Sequence, residues 1–269
     1  MLLIAVLICL ALQRFANVGF LFQLSWFETY FKGLSPWIAK LNAWASVLLI
    51  VVPVLLLLVL LHFLFAGKLF GLFDLILATL VLFFCIDSRD FKNKLEEYFA
   101  DLEKGDVHAA ADVAAELIGD VPSGAPAELS RAVTKAILLG SFERLFAGLF
   151  WFMVFGVYGV AAYFLIALLR QNALKIDSSH VALTKAATQI QDVLDWIPSR
   201  LVGISYALVG NFGEGFKYCS KHVWSGLAEA RKFSVDSGVA VLGADFDSDK
   251  APLKENYAAL DLINHTLVV

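Results

Sequence analysis

The chain has 269 residues, 59% of them hydrophobic and 17% charged, with a mean hydropathy of +0.74. Those proportions lie on the membrane side of globular usage and disfavour a water-soluble domain. A formal net charge of −4 removes the basic face that nucleic-acid binding needs.

Residues 1–12 are apolar but carry neither a basic leader nor a small-x-small cleavage site, so this is not an ordinary signal peptide. The segment reads either as a short anchor or as the start of an amphipathic helix through Phe15, Val18, Phe22, Trp26 and Tyr30. Residues 14–42 interleave aromatic side chains with Arg14, Glu28, Lys32 and Lys40, the pattern of an interfacial helix. Residues 44–65 are long and apolar enough to span a bilayer, and 69–86 read as a further span, the two joined as a hairpin at 66–68. Pro53 is expected to kink the first of them. His62 and Asp74 lie near the turn, where headgroups or water can serve them, and they read as structural rather than functional.

From Asp87 to about Ala136 charge becomes dense, and the composition predicts an aqueous helical lobe. Phe91, Leu95, Tyr98, Phe99 and Leu102 form one apolar stripe at helical spacing. Asp106 is placed to cap a second helix closed by Gly119; DVPSGAP breaks the chain before a third helix starts near Ala127. That helix is expected to run unbroken from Glu128 into the membrane, because the 25 residues from Leu145 to Leu169 contain no charged residue, His, Asn or Gln. This is the central transmembrane helix of the reading, bracketed by Arg144 and Arg170, with Gly156 and Gly159 thinning one face for a neighbour.

Beyond Arg170, residues 178–196 read as an amphipathic helix that Pro198 ends in a corner. Residues 201–212 follow as a re-entrant or interfacial helix stopped by Gly210 and Gly213. Asp192 and Asp195 then sit in the last turn of a helix, opposing its dipole, and Arg200 across the corner is their expected partner. Asp245, Asp247 and Asp249 alternate but lack the Gly and Glu of a calcium loop, so they read as a solvated loop. At NHTLVV an apolar run begins, where a last transmembrane helix could start.

No catalytic motif is present: there is no HExxH, GxSxG, phosphate loop or Cys–His pairing. Cys9, Cys85 and Cys219 are an odd set without metal spacing and read as small apolar filler.

Three stretches carry a resemblance. ERLFAGLFWFMVFGVYGVAAY, with Leu149, Phe150 and Trp151, is similar to the central helix of the AmpE family of bacterial inner-membrane proteins. Asp195, Trp196, Pro198, Arg200, Leu201, Gly203, Tyr206, Ala207, Leu208 and Gly210 match that family's DWxPxRLxGxxYALxG segment, and LEKGDVHAAADVAAELIGDVPSGAP resembles its charged loop. The resemblance implies a regulatory or sensory role in induction of chromosomal β-lactamase. The same segments resemble a wider superfamily, the CbiB-type adenosylcobinamide-phosphate synthases, which form an amide using ATP and magnesium. Here the enzymes' Glu-Asn pair falls at Leu139 and Gly140, their Lys at Phe164, and their RDT at Asp120, Val121 and Pro122. Asp192 and Arg200 remain, with Glu143 where the enzymes carry Asp.

These observations predict an all-α, polytopic helical membrane protein of about four spans with a helical aqueous lobe. Its expected divisions are 1–86 (interfacial and transmembrane helices), 87–143 (lobe), 144–170 (central helix) and 171–269 (amphipathic helices and C-terminal region). The expected setting is the bacterial inner membrane, multi-pass. The cluster Arg89, Lys92 and Lys94 directly after a span places the lobe in the cytoplasm. The expected role is a non-catalytic regulator with no cofactor and no metal site; an ATP-dependent, CbiB-like synthase is the alternative. Candidate ligand-binding residues are Glu143, Asp192, Asp195 and Arg200. Expected partners are the lipid bilayer, a small-molecule ligand, a signalling protein and a second copy of the chain.

Overall fold

The computed structural model describes residues 2–15, 25–65, 72–86, 89–118, 126–176, 180–243 and 252–267. Among these, every regular element is helical. In chain order they are α1 (Leu2–Phe15), α2 (Ser25–Ile38), α3 (Ala43–Phe65), α4 (Leu72–Cys85), α5 (Arg89–Glu103), α6 (Val107–Ile118), α7 (Pro126–Ser141), a π-helical turn (Phe142–Phe146), α8 (Ala147–Ile176), α9 (Val181–Val209), α10 (Phe212–His222), a 3₁₀ turn (Leu227–Glu229), α11 (Ala230–Leu242) and α12 (Pro252–Thr266). The amphipathic stretch expected at 16–24, the turn at 66–68, the stop at Gly119, the break at 120–125 and the acidic loop at 245–249 lie outside the described residues.

Among the described residues two helical runs are, by length and composition, long and apolar enough to cross a membrane, Ala43–Phe65 and Glu128–Leu174, and Leu72–Cys85 is a shorter apolar helix. The chain forms two compact units. One comprises residues 1–87 and 148–194, the other 88–147 and 195–269.

The first unit is built on a core of Phe27, Phe31, Ile50, Leu165, Leu169 and Ala187. Pro53 is accommodated inside α3. Having no N–H it cannot serve the Leu49 carbonyl, and at the next position Tyr30 Oη donates to the Ile50 carbonyl at 2.9 Å. His62 Nδ1 lies 3.4 Å from Asp74 Oδ1, so the two polar residues of the apolar runs meet each other.

The central helix departs from expectation. Gly156, inside α8, has φ 63° and ψ −145°, a backbone conformation open mainly to glycine. A Cβ built on Gly159 would collide with the Trp151 carbonyl oxygen and lie 2.7 Å from Phe155 Cβ, and one on Gly148 would lie 3.8 Å from Val160 Cγ2. Along a straight helix, residues eight or twelve apart are separated by about 12 to 18 Å. The chain therefore folds back on itself at Gly156. The apolar run is a helical hairpin whose tip, Met153 to Phe155, is exposed, and Gly156 and Gly159 serve this internal turn rather than a neighbouring helix.

In the second unit α5 and α6 form a hairpin through Gly105, which has φ 81°. Asp106 caps α6 as predicted, its Oδ1 accepting from Ala109 N at 3.1 Å. The α5 stripe is buried at Leu95, Tyr98 and Phe99. The last helix joins the lobe: Tyr257 of α12 stacks on Phe99 at 4.7 Å, and Ser130 Oγ of α7 donates to Asn256 Oδ1 at 2.6 Å.

The predicted corner at Pro198 is absent. Pro198 lies within a 29-residue helix, α9, which ends only at Val209, before Gly210, and Gly213 lies inside α10 rather than ending an element. Asp192 and Asp195 are thus mid-helix, where no helix end opposes their charge. The reverse connection is made by α10: a Cβ on Gly215 would lie 2.8 Å from Ala207 Cα, while Arg200 reaches Val223. The second half of α9 and α10 pair as an antiparallel helical hairpin closed on a glycine.

Candidate functional site

The second unit holds three of the four predicted site residues. Glu143 stands in the π-helical turn, Asp195 and Arg200 on α9. Asp192, about one turn earlier on α9, belongs to the first unit. Asp195 is wholly buried and Arg200 is 6% exposed. On a continuous helix a separation of five residues turns a side chain by about 140°, so Arg200 does not fold back onto Asp195 as the corner would have required.

Arg200 is instead a staple. Its Nε donates to the Val223 carbonyl (3.1 Å), its Nη2 to the Ser225 carbonyl (2.8 Å) and Ser225 Oγ (2.7 Å), and its Nη1 to Ser199 Oγ (2.8 Å). The guanidinium lies 4.9 Å from the Trp196 ring centroid and 4.6 Å from that of Phe233. Trp196 Nε1 adds a hydrogen bond to the same Ser225 carbonyl at 3.2 Å. Burial pulls the guanidinium below the ordinary arginine range, with Glu229 and Tyr218 acting in the opposite direction. With four of its five N–H groups taken by the protein and aromatic rings beside it, Arg200 holds the 223–225 turn and offers little to a ligand.

Glu143 has a partner that sequence reasoning missed, Arg231 of α11, whose Nη1 lies 3.8 Å from Glu143 Oε1. Nothing local links the two residues: the contact depends on α11 packing along α7 and on a π-helical turn that no pattern in FERLF announces. Nearby on α11, Asp236 accepts a hydrogen bond from Tyr218 Oη at 3.4 Å; burial, followed by the Asp236 charge, pushes the Tyr218 phenol up to about 12. A hollow of about 650 Å³ lies in the first unit, lined by Trp26, Thr29, Tyr30, Gly33 and Leu34, none of them charged.

Two of the positions that distinguish the enzyme alternative, Gly140 and Phe164, are filled by packing. A Cβ on Gly140 would lie 2.8 Å from Phe91 Cζ, so the Phe91 ring occupies the place of a side chain there. Phe164 packs edge-on to Phe84 at 5.6 Å. Among the described residues no group of three or more His, Cys, Asp or Glu is placed to hold a metal ion. Gly140 and Phe164 offer no charged side chain to a magnesium-nucleotide group.

An all-α membrane protein emerges, in which Arg200 and Glu143 are engaged by internal contacts. A family model described as "Regulatory signalling modulator protein AmpE" matches residues 1–267, and the chain belongs to the AmpE family. It is 33% identical over 151 residues to "Protein AmpE" of Shigella flexneri, covering 54% of this chain and 53% of that one. It is also 25% identical over 147 residues to "Cobalamin biosynthesis protein CobD" of Chromobacterium violaceum (54% and 47% covered). A protein of the same name from Stutzerimonas stutzeri is 37% identical over 82 residues (30% and 27%). The matches span about half the length of these curated relatives, or less. No solved structure matches.

Proposed function

We propose that this chain is a non-catalytic modulator in the bacterial inner membrane, acting in the signalling that controls β-lactamase induction. The observation that carries the non-catalytic reading is the closed space at Gly140. Activating a carboxylate through a phosphate needs charged groups within about 3 Å of the developing charge, and each missing contact costs roughly 10²- to 10³-fold in rate. Where the synthases have Asn this chain has Gly beneath the Phe91 ring, and where they have Glu and Lys it has Leu139 and Phe164. The helical run from α7 through the π-helical turn into α8 joins the lobe covalently to the apolar unit, and turns of this kind recur at functional positions. A signal read at Glu143 would pass along it.

The second reading, an amide-forming enzyme of cobalamin synthesis, draws on the identity to the CobD proteins. Two assays separate them. Expression in a strain lacking the corrinoid synthase should give no cobalamin-dependent growth from cobyric acid, whereas deletion of the chain in its own host should alter β-lactamase induction. Growth in the first assay would overturn the modulator reading.

A further inference from the structure

The second half of α9 is amphipathic in the inverted sense. Ile197, Leu201, Ile204 and Leu208 are 47% to 58% exposed, whereas Asp195, Ser199, Arg200 and Tyr206 are buried. At about 100° per residue the four exposed residues fall within an arc of about 60°, and Ser199 and Tyr206 lie on the opposite side. A helix of a water-soluble protein does the reverse, burying its apolar stripe and wetting its polar one. Exposed apolar residues also lie on α10, where Phe212 and Phe216 stack at 5.4 Å. Around α10, Gly215 and Cys219 face the protein, Phe212 and Phe216 flank them, and exposed Lys217 and Lys221 stand on the outer side. Trp224, at the turn that Arg200 staples, is 84% exposed.

We infer that the α9–α10 hairpin lies in the membrane interface, with the stripe Ile197, Leu201, Ile204 and Leu208 seated on the acyl chains of one leaflet and Lys217 and Lys221 at the level of anionic headgroups. From Ile197 to Leu208 the stripe is about 17 Å long, too short to span but suited to an in-plane helix whose apolar face sinks about 5 to 10 Å. Exposed Asn211 and Glu214 at the tip keep the hairpin from plunging inward. Lys217 pairs with Glu214 at 3.5 Å, and Lys221 stands one turn further on; basic charge beside aromatic residues at an apolar edge is the chemistry of an anionic lipid surface and selects lipid over a protein partner as the occupant. Lipid contact therefore extends to the lobe-containing unit, beyond α3 and the apolar hairpin of α8.

The test uses the full chain in vesicles of phosphatidylcholine and phosphatidylglycerol. Ile204→Cys and Leu208→Cys carry an environment-sensitive fluorophore, Ser220→Cys is the exposed control, and the labelled wild-type chain supplies the background from its native cysteines. The expected result is strong quenching at 204 and 208 by spin-labelled lipid, little at 220, and quenching that weakens in Lys217→Gln/Lys221→Gln or when the anionic lipid is omitted. Labels at 204 and 208 that stay accessible to water-soluble quencher overturn the inference. So does protection without lipid quenching, which assigns the stripe to a protein partner, and disulfide cross-linking between two copies at 204 would identify that partner as a second copy.

Discussion

Replacing Arg200 by alanine removes four hydrogen bonds and two ring contacts at once. It strands the Val223 carbonyl and leaves the Ser225 carbonyl with Trp196 Nε1 alone, and a buried acceptor left without a donor costs about 1 to 3 kcal/mol. The ring contacts add about 0.5 to 1 kcal/mol each where partly solvated. Against this, removing a buried cation recovers part of its desolvation, several kcal/mol in the gross. The balance is a loss of about 3 kcal/mol, or about 6 to 12 °C in Tm for a chain of this size. Thermal unfolding in detergent, followed by helix content, reads this directly. Arg200→Lys should recover little, because an ammonium cannot fork between two carbonyls while facing two rings. An exposed control, Lys221→Ala, should change stability by no more than about 0.5 kcal/mol. If Arg200→Ala fell within that control, the staple would be refuted and Arg200 would return as a candidate ligand-binding group.

Gly156→Ala forces a Cβ into positive φ at the fold-back and should cost about 1 to 2 kcal/mol, seen as a lower Tm and new protease sensitivity near 156; an unchanged Tm would argue for a straight helix. Gly140→Asn should destabilise by about 1 to 3 kcal/mol by overpacking against Phe91, and Phe91→Ala in the same chain should relieve part of that; additive losses would show that the ring does not fill the site. Tyr98 is buried and its phenol is pushed up to about 12. Because the folded state holds the proton more tightly than the unfolded one, its contribution is complete below about pH 10 and is lost as pH rises toward 12. Denaturant titrations across that window should show the loss in the wild-type chain and a smaller one in Tyr98→Phe; equal slopes would contradict the burial.

Much of the architecture was legible because it depends on composition and period. The span at α3, the apolar stripe of α5, the Asp106 cap and the start of α7 at Pro126 are local decisions, written in neighbouring residues and little altered by the rest of the fold. The polarity of the lobe was legible for the same reason. Where two local rules competed, tertiary packing chose between them. Pro198 ought to end a helix, yet α9 continues, because Arg200, Trp196 and Tyr206 on either side of it are engaged by the 223–225 turn and by α11. Gly156 reads as a small residue in a long apolar helix until its backbone is seen at positive φ; sequence reports that glycine permits the turn but not that the fold takes it. The Glu143–Arg231 contact and the Phe91 ring over Gly140 join residues far apart in the chain, and no periodicity encodes them. What the sequence determined by itself was therefore the solvent this protein belongs in, since that is a sum over residues. Which of its charges remain available was decided only by the helices that came to lie beside them.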